Sequence, residues 1–96
     1  MTTRNAYPVN IVINGRLITQ AIIDSHYKVN HPDIDDKLIL DLIQTFNGRE
    51  FKLDERKDSW EYYMLDQIPF RDKKYRLVWC MQDNQLFIGI INCFRR

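Results

Sequence analysis

The sequence predicts an α+β domain in which one amphipathic helix packs on one face of an antiparallel sheet of about five strands. The predicted order is strand, strand, helix, strand, strand, strand. Two hairpin patterns and one helical stripe indicate this fold. The first hairpin is centred on Asn14-Gly15, the second joins Tyr75–Met81 to Leu86–Phe94, and the apolar stripe lies between them.

Length and composition place limits on the class of protein. The 96 residues, 45% of them hydrophobic, fit a single domain spanning 1–96 with its own core. No apolar run approaches the roughly 20 residues that span a bilayer, and no signal peptide is expected. The two cysteines lie in strand patterns, which predicts free thiols in a reducing cytoplasm. A net charge of +1 means that any anion-binding surface is local.

The N-terminal half begins with the strongest turn signal. Residues 1–8 are expected to be a flexible lead-in ended by Pro8, followed by strands Val9–Ile13 and Arg16–Ile23. Asn14-Gly15 is the dipeptide most typical of a two-residue hairpin loop. Pairing across it predicts one apolar face, made of Val9, Ile11, Ile13 and Ile18.

A helix is predicted after Pro32. Asp33 or Asp35 is expected to cap its N-terminus, and acidic residues in the first turn suit the helix dipole. Asn47-Gly48 is expected to end the helix with a left-handed C-cap. Its apolar stripe recurs at intervals of three to five residues and consists of Ile34, Leu38, Ile39, Leu42, Ile43 and Phe46.

The C-terminal half carries the remaining strands. Residues 49–58 are expected to form a short edge strand or an ordered loop, Trp60–Leu65 a strand, and residues 67–74 a connection. A two-residue loop at Asp83-Asn84 then places Leu86, Ile88 and Ile90 opposite Met81, Trp79 and Leu77. Strands that are apolar on both faces indicate the middle of a sheet.

Strict alternation in this register makes three further predictions. Cys80 and Cys93 share one face, Arg76 and Arg95 lie together on that face, and Arg96 points to the other. The open end of the hairpin, where Lys74, Arg76, Arg95 and Arg96 gather, is the expected functional end.

A metal-independent ribonuclease is an activity that these residue types can supply without a fixed spacing in the sequence. It needs a group that accepts the ribose 2′-hydroxyl proton, cations at the phosphate and an acid for the leaving oxygen. Histidine suits the proton transfers and arginine the phosphate. The chain offers His26, Tyr27, Lys28 and His31 before the helix and Arg76, Arg95 and Arg96 at its end.

Other assignments stay open at this point. Asp24, His26, His31 and Asp33 form a possible Zn²⁺ or Mn²⁺ cluster, although Asp33 also fits a helix cap. Arg76 is expected to find either an anion or a structural ion pair with Asp24, Asp66 or Glu61. The aromatic residues Trp60, Tyr62 and Tyr63 fit base stacking or packing.

The C-terminal segment resembles the closing hairpin of RelE/ParE-type toxins of bacterial toxin–antitoxin systems. The matching elements are Tyr75-Arg76-Leu77-Val78-Trp79, Asp83, Leu86–Ile91 and Arg95-Arg96. The initial β-hairpin and single helix look more like the BrnT-like branch, in which a Lys-His segment precedes the helix as Lys28 and His31 do here. The tyrosine that often follows the arginine pair is missing.

The resemblance implies a cytoplasmic, metal-independent endoribonuclease of the mRNA interferase type, without cofactor, masked by an antitoxin. His26, His31, Arg76 and Arg95 would then be catalytic, and Tyr27, Lys28, Lys74 and Arg96 would bind RNA. The rival hypothesis is a non-catalytic protein-binding module of phage or mobile-element origin, which the near-neutral charge and the aromatic strand also fit.

Overall fold

The computed structural model describes residues 3–25, 27, 31 and 33–96. These form six strands and one helix, which confirms the α+β class. The elements are β1 (Arg4–Ile13), β2 (Arg16–Asp24), α1 (Asp36–Gln44), β3 (Glu55–Lys57), β4 (Trp60–Phe70), β5 (Lys73–Gln82) and β6 (Phe87–Arg95).

The sheet order is β1-β2-β6-β5-β4-β3. β3 is an edge strand within residues 49–58, one of the two alternatives predicted there, and it brings the sheet to six strands. The prediction that all strands are antiparallel is wrong, because β2 pairs with β6 in parallel. Parallel neighbours need a long connection, and here α1 and the β3–β5 segment supply it. The strongest patterns in the sequence indicate hairpins between neighbouring segments, and such patterns carry no information on the pairing of β2 with the distant β6.

The first hairpin is confirmed. Asn14 and Gly15 both have positive φ angles, 53° and 71°, as a two-residue hairpin loop requires. Ile11, Ile13 and Ile18 are fully buried on the predicted apolar face. However, β1 begins at Arg4, and the segment from Arg4 to Pro8, expected to be part of a flexible lead-in, pairs with β2.

Helix α1 is shorter than the stripe predicted. Asp35 caps it, accepting a hydrogen bond from the Leu38 amide at 2.8 Å. The helix ends at Gln44, so the predicted Asn47-Gly48 C-cap is wrong. Those two residues instead bind the edge of β1, where the Asn47 side chain accepts from the Val12 amide and the Gly48 amide donates to the Val12 carbonyl.

The predicted connection over residues 67–74 is almost entirely strand. β4 continues to Phe70, and β5 begins at Lys73 after a two-residue turn in which Arg71 and Asp72 have positive φ angles. Gln67, with a φ of 57°, lies at an irregularity in the pairing. Pro69 is tolerated because β3 pairs only with the beginning of β4, so none of the described strands covers that edge at Pro69.

The last hairpin has a different register from the one predicted. Its loop spans Asp83 to Leu86, so Met81 pairs with Ile88 and not with Leu86. Leu86 is 51% exposed, and its carbonyl accepts a hydrogen bond from the Thr19 amide of β2. A bulge at Ile91 follows, because Val78 pairs with Asn92 whereas Trp79 pairs with Ile90. The extra residue reverses the alternation for the rest of β6.

The core lies between α1 and one face of the sheet. Trp79 is fully buried at its centre, with ring centroids 5.0, 5.1 and 5.4 Å from those of Phe46, Phe51 and Tyr63. The opposite face, called here the open face, is covered by no described element. It carries partly exposed apolar and aromatic side chains: Ile22, Trp60, Tyr62, Met64, Val78, Cys80, Phe87, Ile91 and Phe94.

Among the described residues, no helix has the length and apolar character that crossing a bilayer requires.

Candidate functional site

The bulge at Ile91 changes which arginines lie together. Arg76 pairs with Phe94, and Tyr75, which is buried in the core, pairs with Arg95. The prediction that Arg76 and Arg95 share a face is therefore wrong. Arg96 lies on the open face with Arg76, whereas Arg95 lies on the helix side and is exposed.

Three polar side chains surround the ring of Phe94. The Cζ atoms of Arg76 and Arg96 lie 5.5 and 5.8 Å from the ring centroid. The imidazole of His31 stacks on the ring at 5.1 Å, with 20° between the planes. We call His31, Arg76, Phe94 and Arg96 the Phe94 cluster. In the sequence, His31 precedes α1, whereas the other three residues of the cluster follow it.

Arg76 has no ion pair in the described part of the chain. Its Nε is buried and has no hydrogen-bond partner. The carboxylates predicted as its structural partners pair with other arginines: Asp66 with Arg96 at 3.0 Å, Glu61 with Arg16 and Arg56 at 2.9 and 2.7 Å, and Asp24 with Arg4 at 3.5 Å. A partly buried guanidinium with an unpaired donor is a ready ligand for an anion.

Arg96, in contrast, is held in place. Its Nε pairs with Asp66, and its backbone amide donates to the Lys74 carbonyl at 2.8 Å. The Arg96 side chain stays 39% exposed beside Arg76. Lys74 is exposed, two positions before Arg76 and so on the same face of β5. Three basic side chains thus accompany one carboxylate at this end of the open face.

Tyr27 does not belong to this surface. It is 1% exposed, and its hydroxyl donates to the Asp36 carboxylate at 2.6 Å. Burial and this carboxylate raise the pKa of the tyrosine far above its usual value. The Tyr7 hydroxyl donates to the other oxygen of Asp36 at 2.5 Å. Tyr27, which the sequence predicts to bind RNA, is buried and anchors the start of α1.

His26 and Lys28, predicted as a catalytic and an RNA-binding residue, lie outside the described residues. Of the proposed metal ligands, His26 is therefore untested. Within the described ranges, no three His, Cys, Asp or Glu side chains converge as metal ligands.

The two cysteines are unpaired, as predicted, but lie on opposite faces. Cys93 is fully buried in the core because the bulge at Ile91 turns it inward. Burial raises the pKa of its thiol to about 12. Cys80 is on the open face, partly buried, and burial raises the pKa of its thiol too.

A second charged group lies at the other end of the sheet and has a structural role. Arg56 of β3 binds both Glu61 of β4 and Asp83 in the β5–β6 loop, and Arg16 binds Glu61 from the first hairpin. The Arg56 guanidinium lowers the pKa of the Asp83 carboxyl below its usual range. These ion pairs connect the start of β2, the strands β3 and β4, and the β5–β6 loop.

The open face also contains a trough that the sequence analysis missed. It has a volume of about 320 Å³ and runs across the strands. Trp60 and Phe87 line one side, Cys80 and Gly89 the floor, and Arg4 and Asp24 the far end. Gly89, isolated in an apolar strand, was the only sequence signal, since such a glycine often marks a close approach.

Comparisons with protein-family models, curated proteins and solved structures found no match to this chain.

Proposed function

We propose that this protein binds single-stranded RNA through the Phe94 cluster and cleaves it without a metal ion, as a small toxin-like endoribonuclease. The observation that supports this function best is Arg76. Its guanidinium is partly buried on the open face, has an unpaired Nε, and has no carboxylate partner among the described residues. The Nη groups of this guanidinium are not buried, and a phosphate diester would supply acceptors for them.

The reaction is a transesterification within the RNA. The ribose 2′-oxygen bonds to the adjacent phosphorus as the bond from phosphorus to the 5′-oxygen breaks, which leaves a 2′,3′-cyclic phosphate and a 5′-hydroxyl. Arg76 and Arg96 stabilise the charge of the phosphorane. His31, which its stacking on Phe94 holds beside them, exchanges a proton with one of the two reacting oxygens. His26 is the candidate for the second proton transfer.

The RelE/BrnT-like assignment is part of this proposal. It rests on the resemblance of the terminal hairpin, with Arg76 and Arg96 as the phosphate-binding pair in place of Arg76 and Arg95. An antitoxin that covers the open face is the implied partner. The two unpaired thiols fit a reducing cytoplasm as the compartment.

The test is RNA cleavage by the purified protein in EDTA, with matched arginine variants. Arg76→Ala is expected to lower the cleavage rate by at least tenfold, since charged phosphate ligands of this kind contribute several kcal/mol to transition-state binding. Arg95→Ala is the control, because the same residue type is removed from the exposed helix side. Intact RNA with the unmodified protein, or equal losses in both variants, would contradict the proposal.

A second candidate function is protein binding without catalysis, and the apolar character of the open face favours it. Contiguous exposed apolar surface commonly marks a protein interface. If this function holds, a protein partner is expected to bind the unmodified protein stoichiometrically and to lose its binding to the Val78→Asp variant. RNA incubated with the unmodified protein is then expected to stay intact. Val12→Asp is the control, since Val12 is exposed on the first hairpin.

A further inference from the structure

We propose that the trough on the open face binds a nucleobase of the same RNA strand whose phosphate lies at the Phe94 cluster. This inference rests on the proposed function and adds to it a second binding subsite. The trough lies among Trp60, Cys80, Phe87 and Gly89, away from every residue of the Phe94 cluster.

The shape of the trough follows from two small residues in one row of the sheet. Cys80 pairs with Gly89, and Gly89 pairs with Ile22 of β2. Gly89 adds no side chain to this row, and the sulfur of Cys80 packs close to it, since a Cβ at position 89 would lie only 2.9 Å from the sulfur. Larger side chains rise on both sides of this row, so the result is a slot across the strands.

The lining suits a flat heterocycle with apolar faces and a polar edge. Trp60 and Phe87 form an aromatic wall, with their ring centroids 6.0 Å apart. Base–aromatic stacking is the usual way in which proteins hold single-stranded nucleic acid. The volume of about 320 Å³ is at the lower end of the range for small-molecule sites, which matches a single base better than a larger ligand.

The far end of the trough is charged. Arg4 Nε lies 3.5 Å from the Asp24 carboxylate, and the Arg4 side chain is 76% exposed. An arginine donates to base carbonyl and ring-nitrogen acceptors, and an aspartate accepts from base amino groups. Aliphatic side chains of a protein partner would leave this pair without a complementary group, whereas the edge of a base offers both acceptors and donors.

Phe94 itself is not available as the stacking platform. His31 covers one face of the ring, and both guanidinium groups lie within 6 Å of its centre. The base must therefore bind elsewhere. Arg76 and Cys80 are four residues apart on β5, which corresponds to about 13 Å along an extended strand. A short single-stranded segment can span that distance from the phosphate to the trough.

The experiment measures binding of two fluorescent oligomers by anisotropy. One is a short single-stranded RNA with 2′-O-methyl groups, which removes the nucleophile and prevents cleavage. The other has the same backbone with abasic sites. The unmodified protein is expected to bind the first at least about fivefold more tightly, because stacking of one base contributes about 1–3 kcal/mol.

The variant that fills the trough is Cys80→Ala with Gly89→Val, in which loss of the sulfur makes room for the new side chain. Cys80→Ala alone is the matched control. The filled variant is expected to bind both oligomers equally, at the affinity of the abasic one, whereas Cys80→Ala alone leaves the trough open and is expected to retain a preference for the oligomer with bases. Trp60→Ala removes one of the two aromatic side chains and adds no bulk to the trough, and it is expected to lose most of the preference. This variant tests the subsite if the filled variant does not fold.

The outcomes separate the two proposals. Tight binding of both oligomers by the unmodified protein, or an undiminished preference in the filled variant and in Trp60→Ala, overturns the base subsite and leaves the Phe94 cluster as an RNA site. Absence of binding to either oligomer overturns the proposed function, and the subsite with it. Loss of a protein partner in the filled variant, with RNA affinity unchanged, assigns the trough to protein binding.

Discussion

Replacing Arg76 with methionine is expected to stabilise the fold while it abolishes RNA binding. The methionine keeps the length and the apolar part of the side chain and removes the guanidinium. In the native protein that group has a buried Nε without any hydrogen-bond partner. Residues that serve a ligand commonly carry such a cost in the free protein.

The magnitude follows from two opposing contributions. A buried donor without a partner costs about 1–3 kcal/mol, which the substitution recovers. Loss of the guanidinium also removes its contact with the Phe94 ring, at 5.5 Å, which contributes about 0.5–1 kcal/mol. The net gain is about 1 kcal/mol in the free energy of unfolding. For a domain of this size, that corresponds to a rise in Tm of about 4–8 °C.

Urea denaturation and thermal unfolding, both followed by circular dichroism, measure this gain. Arg96→Met is the control, since it breaks a solvent-exposed ion pair with Asp66 and is expected to destabilise by about 0–1 kcal/mol. The two variants should therefore change stability in opposite directions. A clear loss of stability in Arg76→Met would refute the reasoning, because it would mean that the guanidinium is already satisfied in the free protein.

Three further predictions concern the start of α1 and the two thiols. Tyr27→Phe is expected to destabilise by about 1.5–3 kcal/mol in urea denaturation, because it removes a charge-assisted hydrogen bond to Asp36, and to leave RNA cleavage intact where the protein is folded. Asp35→Ala is expected to cost about 1 kcal/mol through loss of the N-cap, and an unchanged midpoint would contradict that role. At pH 8, iodoacetamide is expected to modify Cys80 before Cys93, since burial holds the Cys93 thiol protonated up to about pH 12; equal rates by mass spectrometry would argue against this packing.

The sequence predicted the elements whose signals are local. Asn14-Gly15 specified a hairpin because its backbone preferences match the turn, and the apolar stripe specified α1 because only a helix collects those residues on one side. The buried face of β5, with Leu77, Trp79 and Met81, followed from simple alternation. Each of these features depends on residues close together in the chain.

The candidate site could be predicted only in part, because one residue controls its geometry. The buried neighbours of Arg76 single it out in the sequence, but simple alternation places Arg95 on its face, whereas the structure places Arg96 there. The bulge at Ile91 leaves no turn signal, and it exchanges the faces of Cys93, Phe94 and Arg95. The trough depends in addition on the parallel pairing of β2 with β6, which brings distant parts of the chain together.

The parallel pairing of β2 with β6, called here the parallel seam, also has a consequence for the order of folding. The hairpins β1–β2, β4–β5 and β5–β6 join neighbouring segments, whereas Gln20 and Phe87 come from opposite ends of the chain. Closing the longest loop costs the most entropy before any contact compensates for it, so we expect the seam to form last. The trough straddles this seam. Its complete lining would therefore exist only in chains that have finished folding.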